Sequence, residues 1–109
     1  MAIGSTELSG NALTVVPYGK LDADVAAELR PRIRQALQAG ALNVVFDLSH
    51  VEAVDSSGIG LLVATYNSVQ KAGGETSVVG ASAEVRKVLA AMRLDRHLKV
   101  APPPQGVSP

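Results

Sequence analysis

The sequence predicts one α/β domain with a mixed, mostly parallel β-sheet of four to five strands and about three main helices. Three observations lead there. Its 109 residues suffice for one domain with an ordinary core. Short runs rich in valine and other strand formers alternate with amphipathic stretches of helical period, and that order implies right-handed crossovers and parallel pairing. Each amphipathic stretch opens on an aspartate or serine able to cap it, and the first two close on glycine.

Ile3 to Leu8 and Ala12 to Val16 flank the turn signal Ser9-Gly10-Asn11, so a hairpin is expected at the start. Pro17, which cannot donate to a ladder, suits a strand end or a sheet edge. Asp22 and Asp24 are both candidate caps for a first helix carrying Val25, Leu29, Ile33 and Leu37 at four-residue spacing and closing at Gly40. Pro31 falls inside that helix and predicts a kink. Asn43 to Leu48 is nearly continuous in apolar character, as expected of a central strand covered on both faces.

A second helix follows Asp55-Ser56-Ser57-Gly58, with Ile59, Leu62, Val63, Tyr66 and Val69 on its apolar stripe and Gly73-Gly74 at its end. Thr76 to Val79 reads as a strand. Ser82 caps a third helix with Val85, Val88, Leu89 and Met92 on the buried side, and Leu98 to Val100 forms a last short strand. The domain thus spans residues 1–100. Residues 101–109, with four of the six prolines and little to bury, are expected to form a disordered tail.

Composition removes several classes of function. Ten basic residues balance ten acidic ones, which argues against a general binder of nucleic acid or anionic membrane. The balance conceals an asymmetry: residues 1–55 hold four basic against seven acidic side chains, and residues 56–109 hold six against three. With no cysteine, thiolate zinc sites, disulfides and cysteine nucleophiles are excluded. Met1 to Asn11 has neither a positive n-region nor an apolar h-region, and no apolar run approaches the ~20 residues that cross a bilayer. A soluble cytoplasmic monomer with no cofactor and no metal is the expectation.

Chemistry concentrates at Val54-Asp55-Ser56-Ser57-Gly58-Ile59-Gly60, where a β segment hands over to a helix. Free amides and the positive end of the helix dipole meet there, so hydroxyls can cap and a phosphate would find oriented donors. Glycines at 58 and 60 permit close approach of another backbone. Other readings of this turn fail on spacing. Val63 occupies the third glycine position of a dinucleotide fingerprint, and neither serine is flanked as in a hydrolase elbow. His50 and His97 lack companion ligands in sequence, and nothing in the spacing supplies an oxyanion hole for a triad of Ser56, His50 and Asp55.

Three segments together resemble the STAS domain of bacterial anti-sigma-factor antagonists over about residues 3–100. They are Tyr18-Gly19-Lys20-Leu21-Asp22, the strand Val44 to Ser49 with Val51, and Asp55-Ser56-Ser57-Gly58-Ile59-Gly60. The resemblance implies a binding module and not an enzyme. In that family an anti-sigma factor, itself a serine kinase, phosphorylates the serine after the motif aspartate. That position is Ser56 here, with Ser57 the second choice. By the same carry-over Asp22 and Asp55 face the partner, and Lys20, Asp24, Ser57, Gly58 and Ile59 are expected on the same binding surface. A serine phosphatase is the implied second partner. Lys20 departs from the family, where many members carry an acidic residue before the Leu-Asp pair; Pro31 and the proline-rich tail are less usual too.

The switch that follows is electrostatic. A phosphate adds nearly two negative charges beside Asp55, which a helix N-terminus tolerates and a docked partner does not. The alternative is a STAS subunit of another assembly, a lipid-transport complex or a stress-signalling scaffold, without sigma-factor regulation.

Overall fold

The computed structural model describes residues 4–101. All of the proline-rich stretch after Ala101 lies outside the described residues. The elements run β1 (Gly4–Ser9), β2 (Ala12–Pro17), β3 (Gly19–Leu21), α1 (Ala23–Gln38), β4 (Asn43–Asp47), β5 (Val51–Val54), α2 (Ser56–Lys71), β6 (Thr76–Val79), α3 (Ala83–Ala91) and β7 (Lys99–Val100). A single 3₁₀ turn, Leu94–Arg96, precedes β7.

The main sheet has five strands in the order β1-β2-β4-β6-β7. The hairpin β1–β2 is antiparallel, with Gly10 at φ 61° in its two-residue loop. All other pairs in this sheet are parallel. The α/β class, the mixed sheet and the three helices are therefore as the residue pattern predicts.

β4 is central, as expected, but its two faces differ. Val44 and Phe46 are fully buried, while Asn43, Val45 and Asp47 are only half-buried. The reason lies in the layering. α1 and α2 pack against each other and against the sheet, whereas α3 sits against β5 and the 3₁₀ turn. The apolar run of β4 thus overstates coverage of its second face.

α1 runs unbroken through Pro31. Pro31 removes the amide that would reach the Ala27 carbonyl one turn back. Both residues lie on the exposed face, so that carbonyl is left on the solvent side of the helix and not in the core. The opposite face carries the burial, through Val25, Ala26, Leu29 and Ile33.

Two of the expected stripes need correcting. In α2 the buried residues are Gly58, Leu61, Leu62, Thr65 and Val69, with Ile59, Val63 and Tyr66 half-buried beside them. The core-facing line sits one position from the expected one, because Gly58 and not Ile59 faces the sheet at the first turn. In α3, Val85 and Leu89 are buried, but Met92 is 56% exposed. The helix ends at Ala91, and Arg93 at φ 60° turns the chain so that Leu94 fills the core instead.

The β segment expected before Asp55 is present as β5, but its partner strand and their pairing carry no signal in the residue pattern. β3 and β5 form a separate two-stranded parallel sheet. Three and four residues are too short for a period of two to register, and the β3–β5 pairing also carries a register shift between Gly19 and Lys20. This small sheet positions the functional site.

Candidate functional site

β3 and β5 end side by side, with Leu21 paired to Val54 and the Asp55 amide donating to the Leu21 carbonyl at 3.3 Å. The next residue on each strand is an aspartate that caps a helix. Asp22 accepts from the Val25 amide at 3.2 Å and opens α1. Asp55 accepts from Ser57 and Gly58 at 2.9 and 3.1 Å and opens α2. Of the two cap candidates for α1, Asp22 is the cap and Asp24 stands exposed in the first turn. At α2 the aspartate caps, and the hydroxyl of Ser56 is left free of that duty.

Two helix N-termini therefore meet on one shelf. Gly58 is what lets them do so. It is buried, and a Cβ there would run into the Leu21 carbonyl oxygen, 2.8 Å from Leu21 Cγ and 2.9 Å from Val54 Cγ1. The close approach expected of Gly58 is thus with β3 of its own chain, beneath the surface a partner would touch. Gly60 is exposed with nothing within 4 Å of a Cβ, so no neighbour in this chain requires a glycine there.

Ser56 is the first residue of α2 and is exposed. Among the described residues its hydroxyl makes no hydrogen bond. Ser57 is half-buried, its amide held by Asp55. Ile59 is half-buried and packs on the core. Lys20 and Glu52 are exposed on β3 and β5 and make no ion pair among the described residues. The shelf so presents the exposed hydroxyl of Ser56, the half-buried one of Ser57, three carboxylates (Asp22, Asp24, Asp55) and a neighbouring ammonium group.

Some residues stay apart. His50 lies before β5 and Ser56 after it, with the whole strand between them, so no Ser-His pair forms. His50 instead meets Tyr18 edge-on, ring centroids 5.7 Å apart, and its carbonyl accepts from the Gly19 amide at 2.9 Å. That pair anchors the far end of the small sheet. Sequence reasoning passed over it because only the β3–β5 pairing brings the two rings together. Among the described residues, no three histidine, aspartate or glutamate side chains gather as a metal site would require, and no helix is long and apolar enough to cross a membrane.

A free serine hydroxyl at the mouth of an aspartate-capped helix, set beside a second capped helix in a domain with a five-stranded mixed sheet, defines a class. The STAS domain family model matches residues 5–105, and the chain belongs to that family. It is similar to the anti-sigma F factor antagonist of Lysinibacillus sphaericus, 28% identical over 72 residues, which are 65% of this chain and 62% of that one. The match therefore spans about three-fifths of that relative's length.

Among solved structures, an anti-sigma factor antagonist from Mycobacterium paratuberculosis aligns with a TM-score of 0.78 and 27% identity, over 91% of this chain and 84% of that one. The anti-sigma factor antagonist SpoIIAA in its unphosphorylated form aligns with a TM-score of 0.80 and 24% identity, over 91% and 88%. The fold has also been solved in the phosphorylated form of the Bacillus SpoIIAA protein, with a TM-score of 0.74 at 22% identity over 91% of each chain.

Proposed function

We propose that this protein is an anti-sigma-factor antagonist switched at Ser56. Unphosphorylated, it docks the shelf at the N-termini of α1 and α2 onto an anti-sigma serine kinase in the cytoplasm and so frees a sigma factor. Phosphorylated at Ser56 by that kinase, it dissociates, and a serine phosphatase returns it to the binding state. The observation that carries this reading is the state of the Ser56 hydroxyl: exposed, unbonded, and first in a 16-residue helix with no acidic residue in its first turn.

Each part has a physical reason. A kinase needs a reachable oxygen, and Ser56 is the more exposed of the two serines. The dianion lands at the positive end of the α2 dipole, so the fold carries it at little cost. The docked partner meets it beside Asp55, Asp22 and Asp24. Like-charge repulsion and desolvation of about 2–4 kcal/mol weaken binding by roughly 30- to 1,000-fold. Lys20, unpaired among the described residues, gives the partner a cation to recognise on the same shelf.

The test is incubation with an ATP-binding anti-sigma factor from the same cell and Mg-ATP, followed by peptide mass mapping and a binding titration. One phosphoryl group on Ser56, absent in Ser56→Ala, and tight binding of the unmodified form alone are expected. Phosphate placed elsewhere, or equal binding of both forms, would overturn the reading.

A further inference from the structure

The two long helices do not close on each other along their second halves. A groove of about 390 Å³ lies between them, within the ~300–1,000 Å³ typical of small-molecule sites. Its floor is formed by Ile33 of α1 and Leu61 of α2, both buried in the core, with half-buried Leu37 beside them. Ala64, Ser68 and Ala72 line the α2 side. They recur every four residues, so one row of short side chains faces α1 and holds the gap open. This groove is separate from the phosphoacceptor: Leu61 and Ser68 lie five and twelve residues beyond Ser56, about 8 and 18 Å along the helix axis.

The charge at the groove has one sign. Arg30 and Arg34, one turn apart on α1, both line it, and no acidic side chain does. Neither arginine forms an ion pair among the described residues; the α1 pair is Arg32 with Glu28, at 2.8 Å. This basic patch stands out locally, since residues 1–55 as a whole are acidic in balance. Two guanidinium groups at i and i+4 repel each other and are exposed. An anion between them would remove that repulsion, and planar guanidinium forks fit carboxylate and phosphate oxygens two at a time.

We infer that the groove between α1 and α2 binds a small amphiphilic anion, its carboxylate or phosphate head held by Arg30 and Arg34 and its hydrocarbon body laid along half-buried Leu37 and Ala64, above the buried side chains of Ile33 and Leu61. The charge specifies the head, and the apolar walls specify the body. A volume of this size suits a small molecule.

Calorimetric titration of the full chain tests this with four probes: decanoate, decyl phosphate, 1-decanol and inorganic phosphate, all below micelle-forming concentrations. Saturable one-to-one binding of decanoate or decyl phosphate is expected, at least tenfold tighter than of decanol or inorganic phosphate. Stronger binding of decyl phosphate than of decanoate would assign a phosphate head, and the reverse a carboxylate head. The double variant Arg30→Gln, Arg34→Gln should lose at least tenfold for both anions and nothing for decanol. Both side chains are exposed and free of ion pairs, so this variant folds. Ser68→Leu should fill the groove and abolish binding while Arg30 and Arg34 remain. Decanol binding as tightly as decanoate, or anion binding unchanged in both variants, would overturn the inference. So would an acidic amphipathic peptide binding there while decanoate does not, which would give the face to a protein partner.

Discussion

The N-termini of α1 and α2 are built on one plan and differ at three positions that decide what each does. Each follows a strand of the small sheet, and each is capped by the aspartate after the last paired residue. Ala23 stands first in α1 and Ser56 first in α2. Asp24 in the first turn of α1 already answers its helix dipole, whereas the first turn of α2 holds no acidic residue. The third position is buried Val25 in one and buried Gly58 in the other. One helix start is thus complete as folded. The other has only its capping carboxylate, Asp55, with no second acid in the first turn, and sets a free hydroxyl beside it.

The largest expected effect breaks the comparison at its third position. Gly58→Ala sets a methyl group against the Leu21 carbonyl and 2.8 Å from Leu21 Cγ. Backbone on both sides must shift, at a cost of about 3 kcal/mol. Urea unfolding should show a lower midpoint with an unchanged slope. An unchanged midpoint would mean that the α2 start is not pressed onto β3.

Charge at the first position comes next. Ser56→Asp should weaken binding to the anti-sigma kinase by roughly 30-fold, about 2 kcal/mol, with stability within about 0.5 kcal/mol of the parent. Ala23→Asp places the same charge at the matching position of α1, where Asp24 already stands. A smaller loss is expected there. If the two variants lose equally, net charge on the shelf matters and its position at Ser56 does not.

The caps follow. Asp55 holds two amides and Asp22 one. Asp55→Ala should therefore cost about 1.5 kcal/mol and Asp22→Ala about 1 kcal/mol by denaturant melts. The reverse order would point to a stabilising role for Asp22 beyond its one amide.

How much of this was legible in the residues varies with length scale. Long signals read correctly: the helical spacing of Val25, Leu29 and Ile33, the strand Asn43 to Asp47, and the caps at Asp22, Asp55 and Ser82 all recur in the fold. The candidate site was legible because it is a local motif, and its aspartate, serines and glycine lie within four consecutive positions.

What was not legible is what only tertiary pairing creates. β3 and β5 are each too short to announce a period, so their pairing had no periodic signal; only the family resemblance set Asp22 and Asp55 on one face. Met92 follows the helical spacing, yet the turn at Arg93 takes it out of the core. Gly58 carried the right expectation, close approach of another backbone, but that this backbone is Leu21 follows only from the β3–β5 pairing.

The smallest effect sharpens the comparison at the fifth position, Ala27 in α1 and Gly60 in α2, both exposed. Nothing lies within 4 Å of a Cβ built on Gly60, and its φ lies outside the left-handed region. Gly60→Ala should therefore stabilise the fold by about 0.5–1 kcal/mol, because alanine loses less backbone entropy in a helix than glycine. If the fold gains nothing from glycine here, any reason for it must lie in what touches that face. The same variant titrated against the anti-sigma kinase separates the two cases. Higher stability with weaker binding would make Gly60 a seat for the partner's backbone, one turn past Ser56. Higher stability with unchanged binding would confine the docking surface to the shelf formed by Asp22, Asp24, Asp55 and Ser56.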